Sequence, residues 1–392
     1  MPSNDFITKL LEIEDILVEK IETSSTNITI SFKLARKDYT CPRCGAITNK
    51  VHDYRISEIK DSPIQGKALT LRYNKRRYKC ECCNKNFYEK FNLVAKGCRI
   101  TTRLSFLAIN LLKNVQSVSS VAKQVGISPS SVFRRLKDIN YPKPSALPEV
   151  LSIDEFRGNA GGEKFQGILT NPKKHAVFDI LPSRAQYKIT EYLLDYKDRK
   201  NVKYFVMDMN QVYRDISNVM FPNAMVVIDK FHVVRYATWA LENVRKRVQK
   251  NMHPSKRKYF KRSRRLLLAH YKQLNNEQKQ MLEVMLSQSH DLAQAYYLKE
   301  LFYDFMNANS RNEAIPKLKK FINSAQVSHL EEFKSFLTTL ANWGEYILNA
   351  FDCPYTNGFT EGMNNKIKVI KRNGYGYRNF ENFRNRILLT VS

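Results

Sequence analysis

Cys41-Pro-Arg-Cys44 and Cys80-Glu-Cys-Cys83 each hold thiols at the spacing of a zinc knuckle, and five of the chain's seven cysteines fall between 41 and 83. Two knuckles place four thiolates around one Zn²⁺, which forces the intervening chain into a small closed module. The expected ligands are Cys41, Cys44, Cys80 and Cys83; Cys82 is a bystander, or replaces Cys80 if the second knuckle slips. Gly45 permits the tight turn after the first knuckle. With all four positions filled by protein, such a site is structural. Residues 26–35 alternate polar and apolar, as a half-buried strand does. A second strand, Ala68–Lys79, interleaves Tyr73 and Tyr78 with cations. Arg76 and Arg77 of this strand are candidate contacts to a DNA backbone, against the alternative of an exposed ribbon face.

Lys and Arg number 65 against 37 Asp and Glu, a formal charge of +28 distributed along all 392 residues. A chain of this length builds two or three domains, and this charge points to a polyanionic partner, nucleic acid first. No apolar run is long enough to cross a membrane, and the acid-bearing first residues are unlike a signal peptide, so a cytoplasmic, nucleoid-associated location is expected. There is no phosphate-binding loop of the Gly-x-x-x-x-Gly-Lys type, so ATP use is not expected. Thr101–Asn114 has helical apolar spacing, and Ser117–Gly126 is a second helix closed by glycine. Ser128 then caps a third helix, Pro129–Asp138, expected to expose Ser130, Ser131, Arg134 and Arg135. The pattern is a helix-turn-helix whose last helix enters the major groove. Asn140–Pro148, with three prolines, reads as a linker.

Beyond it, Val150–Phe156 is an apolar strand carrying Asp154 and Glu155. Phe165–Leu169 and Ala176–Leu181 are further strands, Arg184–Tyr196 a helix, and Tyr204–Asp208 a strand ending in an acid. Gln211–Met220 is helical and Ala224–Asp229 is the fifth strand. Three strands, helix, strand, helix, strand is the order of a ribonuclease-H-like α/β fold, in which the first and fourth strands lie side by side and each ends in an aspartate. A later helix supplies the third carboxylate. Asp154, Asp208 and Glu361 occupy those slots. Such a trio holds two divalent ions, Mg²⁺ or Mn²⁺, for in-line displacement at phosphorus. Glu155 should face the opposite side of its strand. Asp229 and His232 are expected to support the site or to contact DNA, with Asp229 the alternative second acid.

From 235 to 350 the chain is rich in Leu, Lys, Arg, Glu and Gln, and lacks glycine until Gly344, so it is expected to be a helical domain inserted in the α/β fold. Arg245–Arg265 holds eleven cations and no acid; Lys256, Arg257, Lys258, Arg262 and Arg264 are candidate phosphate contacts. Cys353 and the seven histidines show no metal-ligand spacing. In Thr356–Arg372, helical spacing puts Glu361, Asn365, Lys368 and Arg372 on one face, with Ile367 and Ile370 toward a core. An acid followed by an amide and two cations suits a metal held beside a phosphate.

Taken together, Cys-Pro-Arg-Cys…Cys-Glu-Cys-Cys, the helix-turn-helix, Ser-Ile-Asp-Glu-Phe, Val-Ile-Asp-Lys-Phe-His-Val and Thr-Asn-Gly-Phe-Thr-Glu-Gly-Met-Asn-Asn-Lys-Ile-Lys resemble a bacterial insertion-sequence transposase of the Asp-Asp-Glu class, ISL3 family. The resemblance implies that the amino-terminal modules bind terminal inverted repeats and that the α/β domain cuts and rejoins double-stranded DNA. It also implies a dimer or larger assembly bridging two ends. The expected domains are a zinc-ribbon module over 1–95, a helix-turn-helix over 96–141, catalytic residues 149–234, a helical insertion over 235–350, and a closing catalytic segment over 351–392. Two other functions are compatible with the residues: a repressor built on the zinc and helix-turn-helix modules, needing none of the three acids, and a nuclease that does not rejoin.

Overall fold

A computed structural model of the chain describes residues 4–95, 97–262 and 264–391. Contacts divide it into two units, residues 1–142 with 367–392, and residues 143–366.

The first unit begins with α1 (Asn4–Leu11), β1 (Ile16–Thr23), β2 (Asn27–Leu34), the short pair β3 (Tyr39–Thr40) and β4 (Ile47–Thr48), the hairpin β5 (Val51–Ile64) and β6 (Lys67–Lys79), and β7 (Asn86–Tyr88). The sheet order is β1-β2-β6-β5 with β7 beside β6; β2 and β6 run parallel and the other pairs antiparallel. Alternation decides which face is covered: Ile30, Phe32 and Leu34 of β2 meet Leu69, Leu71 and Tyr73 of β6 and Ile7 and Leu11 of α1. Three helices follow, α2 (Thr102–Lys113), α3 (Val118–Val125) and α4 (Pro129–Asp138). Each is capped as its sequence prescribes, by the side chains of Thr101, Ser117 and Ser128. Gly126 ends α3 at φ +71°, and a Cβ there would sit 2.7 Å from Ala68 Cβ, so the turn needs glycine for both conformation and space. Buried Asp61 of β5 accepts hydrogen bonds from Thr101 Oγ1 and Arg103 Nε, both at 2.7 Å, and so holds the start of α2 on the hairpin.

The second unit holds β8 (Val150–Phe156), β9 (Gln166–Asn171), β10 (Ala176–Leu181), α5 (Gln186–Leu194), β11 (Tyr204–Met207), α6 (Gln211–Met220) and β12 (Met225–Ile228). Its sheet runs β10-β9-β8-β11-β12; β8, β11 and β12 are mutually parallel, and β9 and β10 antiparallel to their neighbours. Near-continuous apolar runs such as Phe205-Val-Met are what strands covered on both faces require. Helices then occupy residues 230–348: α7 (Lys230–Lys250), α8 (Pro254–Arg262), α9 (Arg264–Leu268), α10 (Asn276–Leu286), α11 (His290–Met306), α12 (Arg311–Val327) and α13 (Glu331–Leu348). Their apolar faces join one core with Leu151, Ile153, Phe205 and Ile228 of the sheet. No helix among the described residues is long and apolar enough to cross a membrane.

The chain ends in α14 (Gly358–Asn373) and α15 (Phe380–Val391). By contacts, residues 367–392 group with the amino-terminal unit. The reason is α15, which packs on α2 and α4 and adds Leu389 to the helix-turn-helix core of Leu104, Ala108, Val121, Val132 and Leu136. Its polar side chains close backbone groups of the same module: Arg386 Nη2 donates to Gln116 O at 2.8 Å, Asn385 Nδ2 to Ile139 O at 3.2 Å and Arg384 Nη1 to Tyr141 O at 3.0 Å. Emptying the Leu389 position removes buried apolar volume from that core. Leu389→Ala is expected to destabilise the helix-turn-helix by about 2–5 kcal/mol. Native-state hydrogen exchange should show the loss at amides of residues 104–136 and not at those of β8 and β11.

Candidate active site

The parallel register brings the acids together. Ser152 of β8 pairs with Val206 of β11, and Met207 of β11 pairs with Ile228 of β12. Continuing each ladder places Asp154 level with Asp208, and Asp208 level with Asp229, at the carboxyl ends of three neighbouring strands. Asp229 N also donates to Met207 O at 3.2 Å. Burial raises the Asp154 carboxyl to about 7, aided by the Asp208 charge; burial likewise raises Asp208 to about 7, aided by Asp229 and Glu361. Asp229 accepts from Phe231 N at 2.9 Å through Oδ1, the N-cap of α7. One turn on, His232 points back, with Nδ1 3.1 Å from Asp208 Oδ1 and 3.9 Å from Glu361 Oε1. Donor atoms of Asp229, His232 and Glu361 lie within 4.8 Å of one another. Asp229 and His232, read in the sequence as supporting the site, are brought together with Glu361, although the histidines as a set show no metal-ligand spacing.

The opening of α14 docks on the sheet through polar groups. Ser152, fully buried within an apolar strand, donates to Asn357 Oδ1 at 2.6 Å and accepts from Thr360 Oγ1 at 3.2 Å; Thr360 meets Thr170 of β9 at 2.8 Å. Asn357 Nδ2 reaches Asp208 Oδ1 at 3.3 Å, and Asn364 Nδ2 reaches Asp154 Oδ2 at 2.6 Å. Ile367 and Ile370 are buried as expected, whereas Asn365, Lys368 and Arg372 are exposed, so Asn364 and not Asn365 shares the inner face with Glu361. Asn357 and Asn364 went unnoticed in the sequence, although both fall in helical register with those isoleucines. Glu155 turns away as expected, accepting from Arg184 Nη1 at 2.6 Å and Tyr213 Oη at 2.5 Å.

Two buried aspartates with raised pKa values, beside the carboxylates of Asp229 and Glu361, form a set suited to a divalent cation, whose charge would relieve both burial and repulsion. His232 Nδ1 strengthens the fit: it is buried 3.1 Å from Asp208 Oδ1 without an aligned hydrogen bond among the described residues. The cysteine set fits zinc equally well. Cys41 Sγ lies 3.6 Å from Cys83 Sγ, and Cys44 Sγ 3.5 Å from Cys80 Sγ. Tetrahedral Zn–S bonds imply sulfur separations of about 3.8 Å. Cys82 is exposed and outside the group.

Two DNA candidates must be withdrawn. Arg76 is 4% exposed and pairs with Glu89, whose side chain is fully buried, at 3.2 Å; its other nitrogen donates to Leu34 O at 2.7 Å. This guanidinium ties β6 to β2 and cannot reach a phosphate. Ser131, expected on the exposed face of α4, is buried and bonded to Ser128 Oγ at 2.9 Å within the cap, leaving Ser130 and Arg134 exposed on that helix. Arg77 pairs with Asp53 at 2.7 Å and Arg135 with Asp138 at 3.1 Å. Lys256, Arg257 and Lys258 are exposed on α8, and Arg264 is exposed but paired with buried Glu242 at 2.7 Å. The Arg262 side chain falls outside the described residues.

Comparisons with known proteins agree with this organisation. Residues 151–387 match the ISL3-type DDE family model, described as "Transposase". Residues 38–83 match the zinc-finger of transposase IS204/IS1001/IS1096/IS1165, and residues 89–140 the helix-turn-helix domain of transposase family ISL3. The transposase for insertion sequence element IS1001 of Bordetella parapertussis is 27% identical over 376 residues, 93% of this chain and 92% of that protein. A protein of Lactococcus lactis subsp. lactis named ATP-dependent protease is 34% identical over 90 residues, a local likeness covering 23% of this chain and 28% of the other. With a transposase model spanning more than half its length and both amino-terminal modules matched in order, the chain belongs to the ISL3 family of DNA transposases.

Proposed function

We propose that this transposase binds the terminal inverted repeats of its element and performs cleavage and strand transfer at Asp154, Asp208 and Glu361. The observation that carries the proposal is the strand register that sets Asp154 beside Asp208, with Glu361 brought in by α14. A ribonuclease-H-like fold for residues 149–234 is supported by the sheet order β10-β9-β8-β11-β12, with antiparallel outer strands and a parallel centre. The helical segment 235–350 is then an insertion between the fifth strand and the helix of the third acid. Divalent cations, two Mg²⁺ or Mn²⁺, would supply Lewis acidity for a water or 3′-hydroxyl and offset charge on the leaving oxygen. The residues hold and orient: Asp154 and Asp208 from the strand ends, Glu361 from the helix, and His232 between Asp208 and Glu361. The new P–O bond forms as the opposite P–O bond breaks, without a covalent protein intermediate. Asp208 is preferred to Asp229 as the second acid because Asp154 feels its charge most strongly and because Asp229 already spends one oxygen on its helix cap. A homodimer or larger assembly bridging two ends belongs to the same reading.

In a joining assay with a labelled terminal-repeat duplex and a target plasmid, Asp208→Asn and Glu361→Gln should each lower strand transfer on the order of a thousand-fold while retaining end binding. Asp229→Asn should leave measurable joining; the reverse ranking would transfer the second-acid role to Asp229. Cleaved but unjoined label from the native protein would identify a nuclease instead.

Asp154 and Asp208 also define a pH dependence. Their folded pKa values of about 7 exceed the unfolded range near 4, so the cation-free native state holds extra protons in that window. Their contribution therefore favours folding at low pH and is lost as pH rises toward 7. Thermal unfolding in chelator should show this slope, the Asp154→Asn, Asp208→Asn double variant should lack it, and Mg²⁺ at pH 8 should restore stability. For the zinc module, Cys44→Ser is expected to release bound zinc and weaken terminal-repeat binding, measured by metal analysis and mobility shift; full binding without zinc would refute a DNA role for it.

A further inference from the structure

Glu361 and Asn364 lie one turn apart on α14, and Asn357 immediately precedes the helix, its carbonyl accepting from Glu361 N at 3.0 Å. We infer that the two amides are positioning residues, Asn357 for Asp208 and Asn364 for Asp154, so that one helix sets the orientation of all three carboxylates. This rests on the reading of those carboxylates as cation ligands.

The orientation of each amide follows from its neighbours. Asn364 Nδ2 faces two acceptors, Asp154 Oδ2 at 2.6 Å and Glu155 O at 3.5 Å. Turning the group over would set oxygen against oxygen. Asn357 Oδ1 accepts the Ser152 hydroxyl proton at 2.6 Å, which leaves its nitrogen to face Asp208. Both asparagines are at least nine-tenths buried, so neither serves as a surface group.

Folding alone does not account for Asn364. Its Oδ1 is buried without a hydrogen-bond partner among the described residues, an arrangement that costs stability. What the position delivers is a neutral donor. A lysine or arginine there would fix Asp154 but also neutralise it and compete with a cation. An amide aims the carboxylate and leaves its charge intact. Asp154 Oδ1 is meanwhile held by Glu155 N at 2.7 Å, so both oxygens are fixed while each keeps a free lone-pair direction.

The test uses the full chain, with Asn364→Leu, which removes donor and orphan together, and Asn357→Asp, which keeps an acceptor for Ser152. Free Mn²⁺ is followed by its paramagnetic resonance signal during titration, alongside melting in chelator and strand transfer. Mn²⁺ affinity should fall about tenfold in each variant. Asn364→Leu should melt no lower than the native chain without cation, and its joining should recover at high Mn²⁺. Unchanged affinity in both variants overturns the inference, as does an affinity loss that appears only with a matching drop in the cation-free melting point. A native chain that takes up no Mn²⁺ would instead remove the underlying reading of the carboxylates.

Discussion

Like charges forced together by strand pairing govern the second unit. Parallel strands in fixed register cannot keep level residues apart, and the level positions near the carboxyl ends of β8, β11 and β12 are Asp154, Asp208 and Asp229. The sheet's stability comes from its covered apolar faces, and that packing holds the carboxylates in mutual repulsion. Everything near the strand ends responds to this. Asn357 and Asn364 donate to the acids, His232 lies between two of them, and Asp229 diverts one oxygen to a helix start. A divalent cation would relieve that repulsion, in keeping with the function proposed above.

Periodicity made most of the local structure legible. The helix expected over Pro129–Asp138 and the strand over Val150–Phe156 have those limits in the structure, and the linker around Pro142 coincides with the division between units. Caps, a terminal glycine and unbroken apolar runs are local signals, decided by neighbours a few residues away. The acids were legible for the same reason, since strand ends can be read from where apolar runs stop.

Partners far apart in sequence were not legible. Arg76 sits in a run of cations that reads as a polyanion-binding stripe, yet burial beside Glu89 turns it inward. Nothing in a strand's alternation announces which cation will find a buried acid. Ser131 was read by residue type, as a polar group on a recognition helix, when its place three residues after the Ser128 cap draws it into the cap's hydrogen bonding. Asn364 lost attention to Asn365 because the outer face of α14 carries the conspicuous cations. In each case a polar residue was assigned to solvent by default, and a tertiary contact overruled the default.

The seating of α15 on the helix-turn-helix has a consequence for how the protein is made. Leu389 and Arg386 complete a module that begins near residue 101, so its core closes only after residue 389 has been synthesised. Everything in the second unit is synthesised in between. Closing so long a loop is slow, and the module waits on it. A nascent chain that stops between the acids and residue 389 thus carries its carboxylates and zinc ligands without a finished helix-turn-helix core.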